Sequence, residues 1–133
     1  MNVQFVVTSS EDQAALELTA LNRNFFVATL RSNGASGMGE VGTFMSSGLA
    51  DLFEFFADNW KGWDGSKLWG SLEGELSIAA HSDRLGHVYL TVKLREGAPA
   101  KWTLEANLVV DAGNLPALAR VAREFETAVL IDA

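Results

Sequence analysis

The chain of 133 residues is long enough for one domain and hardly for two, so residues 1–133 are read as a single domain. Ten Lys and Arg against 17 Asp and Glu give a net charge of −7, and 48% hydrophobic with 20% charged residues excludes intrinsic disorder. The acidic balance argues against nucleic acid and anionic membranes as partners, and the absence of Cys excludes disulfides, zinc–thiolate centres and cysteine nucleophiles.

The first ten residues lack the basic start and long apolar core of a signal peptide. The longest apolar run, Leu49 to Ala57, is broken by Asp51 and Glu54, far short of the about 20 residues a spanning helix needs. A cytoplasmic location is the default expectation.

Strand signals come first. Val3, Phe5 and Val7 share one face, and Leu16, Leu18 and Ala20 share a face of a second strand that Asn22 ends. In Asn24 to Ser32, Phe26, Ala28 and Leu30 alternate with Phe25, Val27 and Thr29, as in a sheet with both faces partly covered. Asn33-Gly34 marks a hairpin, and a glycine-loosened strand is expected over Gly39 to Phe44. The period then changes to that of a helix. Leu49, Leu52, Phe53, Phe56 and Trp60 form one stripe, with Ser46 or Ser47 as N-cap and Gly62 and Gly65 as terminators.

Three long strands are expected next, with Leu72, Gly74, Leu76, Ile78 and Ala80 inward on the first. Val88 to Leu94 and Trp102 to Val110 repeat the alternation. A last helix carries Leu115, Leu118, Ala122, Phe125 and Val129, with Asn114 as cap and Pro116 in its first turn. The fold class is α+β, a curved antiparallel sheet or open sandwich in the order β-β-β-β-α-β-β-β-α. Its helices are expected on one face or plugging one end.

Gly37-Met38-Gly39-Glu40-Val41-Gly42 matches a dinucleotide fingerprint letter for letter. No helix opens at these glycines and the strands are antiparallel, so a flexible turn or bulge is expected instead. His81, Asp83 and His87 bracket one hairpin and are the candidate ligands of a divalent metal; no metal or cofactor is expected. Glu73 and Glu75, two apart on one strand, could do acid–base work, but Lys93, Arg95 and Lys101 offer cross-strand salt bridges instead. Trp60, Trp63 and Trp69 cluster after the first helix. Trp60 continues the apolar stripe and is placed in the core, while Trp63, between two glycines, is the exposed candidate. Asp51, Glu54 and Asp58 form an acidic face continued by Asp64, with no basic partner within that helix to neutralise it.

From Phe53 to Val110 the chain carries Phe-Phe-Ala-Asp-Asn-Trp-Lys-Gly-Trp-Asp-Gly, then Trp69-Gly-Ser-Leu-Glu-Gly-Glu-Leu76, Gly86-His87-Val88 and Trp102 opening the last strand. It resembles small actinobacterial families of unknown function. In layout it is similar, more distantly, to the immunity proteins of Wap-type contact-dependent toxins. The resemblance implies a non-enzymatic, cytoplasmic protein that covers the basic cleft of a toxin. The expected function is therefore a protein-binding module of immunity or antitoxin type, with a basic protein as partner. Asp51, Glu54, Asp58 and Asp64 would steer the encounter and Trp63 would anchor it. Two alternatives are a curved sheet holding an apolar ligand against the helices, and a metal-dependent enzyme at residues 81–87.

Overall fold

The computed structural model describes residues 3–22, 24–42, 48–97 and 99–131. Among the described residues, two four-stranded antiparallel sheets and two helices make up the α+β fold, with no closed barrel. The first sheet is β1 (Gln4–Thr8), β2 (Ala15–Ala20), β3 (Phe25–Arg31) and β4 (Ser36–Gly42), in that spatial order. Helix α1 (Leu49–Asp58) leads to the second sheet, β5 (Lys67–Gly70), β6 (Leu76–Ser82), β7 (His87–Glu96) and β8 (Trp102–Asp111). A 3-10 turn (Ala112–Asn114) then runs directly into α2 (Leu115–Ile131).

The alternation seen in the sequence decides which faces meet. Phe5, Val7, Leu16, Leu18, Phe26, Ala28 and Leu30 from the first sheet share one buried cluster with Leu76, Ile78, Ala80, Leu90, Val92, Leu94 and Leu108 from the second. Each such side chain contributes on the order of 1.5–3 kcal/mol by leaving water. The β1–β2 loop also bonds the sheets together: Ser10 N–H donates to Val109 O at 2.8 Å and Val109 N–H to Ser9 Oγ at 3.0 Å. The helices fill one end of this arrangement. Phe53 of α1 meets Phe5 edge-on at 5.0 Å, and Phe125 of α2 meets Phe26 edge-on at 5.7 Å. Such pairs add about 0.5–1.5 kcal/mol beyond area burial.

The second sheet departs from expectation. It has four strands, because residues 67–70 fold back on β6 with Trp69 opposite Ile78. The segment Leu72–Gly74 is a turn, not the start of a strand. Gly74 takes φ +76, its N–H donates to Ser71 O at 3.0 Å, and Ser71 Oγ accepts from Leu76 N–H at 3.2 Å. Leu72, expected inward, is 55% exposed. In the first sheet the glycine run is regular strand rather than a turn or bulge, in unbroken register with β3 from Phe25↔Gly42 to Arg31↔Ser36. A Cβ at Gly37 would lie 3.1 Å from the Trp102 ring, so the missing side chain is the space the indole uses. The Asn33-Gly34 hairpin is where expected, whereas Thr43, Phe44 and the two candidate caps Ser46 and Ser47 lie outside the described residues.

Candidate functional site

The acidic helix face is neutralised, and the cation comes from the other helix. Arg123 Nη2 on α2 donates to Asp51 Oδ1 at 2.6 Å and to Glu54 Oε1 at 2.8 Å, and its Nε donates to Glu54 Oε2 at 2.9 Å. Its Nη1 donates to Glu126 Oε2 at 2.9 Å. The guanidinium hydrogen bond holds the Glu54 carboxyl below its usual range, and the same carboxylates hold Arg123 charged beyond its ordinary value. Glu126 is buried, and its other oxygen accepts from Gly48 N–H at 3.0 Å and Ala50 N–H at 3.3 Å. A carboxylate there satisfies the orphan donors of the α1 N-terminus and complements its dipole. Asp51 and Glu54 thus belong to a latch between helices. Asp58 is exposed and makes no ion pair among the described residues. Asp64 pairs with Arg84 on the β6–β7 hairpin. The four acids do not form one open stripe.

The tryptophans exchange their expected roles. The helix stops at Asp58, and Asn59 takes a non-helical φ of −115° with its N–H and Nδ2 both bonded to Phe55 O. Trp60 therefore leaves the apolar stripe and is 55% exposed. Gly62, at φ +118, turns the chain back so that Trp63 stacks on Phe56 at 5.4 Å with its ring only 8° from parallel. A Cβ at Gly62 would lie 2.6 Å from Arg84 Cγ and 2.9 Å from Ser82 Oγ, so glycine is what lets this loop seat on the hairpin. Trp63 is partly buried against the core, and its Nε1 is buried without a partner among the described residues. It is not an exposed anchor; Trp60 is the exposed ring.

At the hairpin, Asp83 is fully engaged. It accepts from Leu85 N–H at 2.7 Å and His87 N–H at 3.1 Å on one oxygen, and meets His87 Nδ1 at 2.8 Å and Tyr89 O–H at 3.3 Å on the other. Burial pushes the Asp83 carboxyl up, but the Leu85 and His87 hydrogen bonds outweigh it and leave it below its usual value. Burial, then the Asp83 charge, pushes the Tyr89 phenol up. His81 stacks on the Tyr89 ring at 5.1 Å rather than turning toward His87. Among the described residues no cluster of three or more His, Asp and Glu could hold a metal ion. The arrangement stiffens a turn in which Arg84 takes φ +61 and Gly86 φ +97.

Glu73 and Glu75 do not act as a pair on one strand, nor do the expected arginine bridges form. Glu75 accepts from Ser71 Oγ at 2.8 Å and from Gly42 N–H at 3.3 Å. Arg95 instead donates to the carbonyls of Glu73, Gly74 and Gly97, while Lys93 pairs with Glu105 at 3.6 Å as expected of that face. Open clefts among the described residues include three. One of about 330 Å³ lies between β1, the end of β8 and α2, around Asp111 and Leu118. The other two, about 450 and 430 Å³, meet at Met38 on β4. The first of these lies between strands and α2; deeper in, where the helices meet the first sheet, Phe5, Phe26, Phe53 and Phe125 pack ring against ring.

Three features escaped the sequence reading: the Arg123–Glu126 latch, the exposure of Trp60, and the Glu40 and Glu96 carboxylates beside the Met38 clefts. Only Glu40 had a local signal, as the single charge in the glycine run.

These features define a small two-sheet α+β protein whose distinctive chemistry lies on its surface. The chain belongs to a family of unknown function, DUF6228, whose profile matches residues 7–129. No characterised protein matches it. No helix among the described residues is long and apolar enough to cross a membrane.

Proposed function

We propose that this protein is a non-enzymatic, cytoplasmic binding module of immunity or antitoxin type, which neutralises a basic partner protein by covering it with an acidic surface. The supporting observation is how the charges are used. Every described arginine is engaged within the molecule: Arg31 with Glu17, Arg84 with Asp64, Arg95 with carbonyls, Arg120 with Glu124, and Arg123 with the latch. Glu40, Asp58, Glu73 and Glu96 remain exposed with no ion pair among the described residues. The described arginines are taken up within the molecule and the net charge is −7, so the outward field is negative, which speeds and orients encounter with a positively charged surface. Association of this kind weakens with added salt.

The test is capture of the products of neighbouring genes by the wild-type protein and by a variant carrying E40K, D58K, E73K and E96K. A basic protein retained at low salt by the wild type and lost by the variant is the expected result. Rescue of cells expressing that protein tests the immunity role. Equal capture by both forms removes the acidic surface from the account.

A further inference from the structure

β4 pairs with β3 along one side and has no strand along the other among the described residues. The register fixes which of its backbone groups face the open side. Ser32 donates its N–H to Ala35 O across the β3–β4 turn at 2.8 Å, a hydrogen-bonded pair. Counting on by twos makes Leu30–Gly37, Ala28–Gly39 and Phe26–Val41 hydrogen-bonded pairs too. Met38 and Glu40 between them therefore turn both N–H and C=O away from β3. Gly42, of the same parity, bears this out, because its N–H leaves the sheet to reach Glu75 Oε2 at 3.3 Å.

An open edge of this kind is normally blunted by lysine, proline or a bulge. β4 reads Ser-Gly-Met-Gly-Glu-Val-Gly and has none of these. The clefts of about 450 and 430 Å³ meet at Met38, which is 64% exposed. Glu40, Glu75 and Glu96 line the larger cleft; its one cation, Arg95, is already held by three carbonyls. These charges repel a second copy of the same edge and attract a strand bearing lysine or arginine.

We propose that the open edge of β4 is the docking site for an extended, basic segment of the partner protein, which adds to the first sheet as a fifth strand. Backbone groups of Met38 and Glu40 supply the main-chain hydrogen bonds, and Glu40 and Glu96 meet the basic side chains. This deepens the partner-binding reading and rests on it.

The probe is a capped peptide alternating lysine and threonine, with its glutamate–threonine counterpart as control. At saturation the lysine peptide is expected to slow amide exchange at Met38 and Glu40 by about tenfold, and the control to leave both unchanged. Met38→Pro removes only an outward donor, the one place an edge strand accepts proline. It is expected to weaken the peptide about tenfold while far-UV circular dichroism is retained. Should that variant fail to fold, Glu40→Lys must weaken the peptide by a similar factor. Unchanged exchange at both amides, or wild-type affinity in a folded Met38→Pro protein, overturns the proposal. If Met38→Pro retains the natural partner while the E40K, D58K, E73K and E96K variant loses it, strand addition fails and the acidic-surface reading stands. If neither variant loses it, both fall.

Discussion

Asp51, Glu54 and Glu126 converge on Arg123 between the helices, whereas Glu40, Glu75 and Glu96 gather beside β4 around an arginine that carbonyls already hold. The two groups differ in how their carboxylates are met. In the first, a cation delivered by another element turns repulsion into a clamp, and one carboxylate caps a helix. In the second, Arg95 is taken up by carbonyls and Glu75 is bonded to Ser71 and Gly42, while Glu40 and Glu96 make no ion pair among the described residues. Carboxylates met from within contribute to stability; those left unmet are available to another molecule.

The sharpest way to break this contrast is to remove Glu126. Glu126→Ala strips two N–H groups of their cap and leaves Arg123 with one fewer partner, so a loss of about 2–3 kcal/mol is expected. Thermal unfolding followed by circular dichroism should shift down by roughly 10 °C. A shift of under about 2 °C would erase the distinction between the two groups.

Gly37→Ala separates the glycines of β4 from its carboxylates. The new Cβ would sit 3.1 Å from the Trp102 ring, and a loss of about 1 kcal/mol is expected in urea denaturation. An unchanged midpoint would mean that the indole gives way freely.

Acid unfolding sharpens the contrast next. The Arg123 hydrogen bond holds Glu54 below its ordinary value of 4.5 in the folded state, so its contribution is present above that value. The contribution is lost as pH falls through the depressed folded value. Asp83 acts with the same sign below 3.8. The wild type should therefore lose stability over this acid range more steeply than Arg123→Met, in which Glu54 returns toward its usual value. Parallel curves for the two proteins would show that the latch does not govern acid sensitivity.

The smallest stability effect is expected at the other group. Glu40→Gln and Glu96→Gln should stay within about 0.5 kcal/mol of the wild type in the same denaturation experiment. Their effect should appear in the salt dependence of partner capture.

Much of the fold was legible because period and parity are local. The inward sets of β1, β2, β3, β7 and β8 and the stripe of α1 follow from spacing alone. β5 was not, because a four-residue edge strand containing an exposed leucine and a glycine has too little alternation to announce itself. Trp60 and Trp63 were exchanged because a helical projection was carried past Asp58, where the backbone had already left the helix. The candidate acids were visible as a face, but their neutraliser lies 72 residues beyond Asp51. No local pattern links such positions; only the packing of α1 on α2 brings them together. The hairpin residues were correctly placed as neighbours, yet Asp83 serves the turn and His81 stacks on Tyr89.

The cap on α1 has a consequence for the order of events on the ribosome. Glu126 lies 78 and 76 residues after the two amides it satisfies, so a nascent chain exposes the start of α1 long before its cap has been translated. The first sheet can close by local hairpins during synthesis, but the α1–α2 clamp can form only once most of the chain has emerged. Emergence of α2 is therefore the event that completes the clamp, and until Glu126 has emerged the start of α1 lacks its cap.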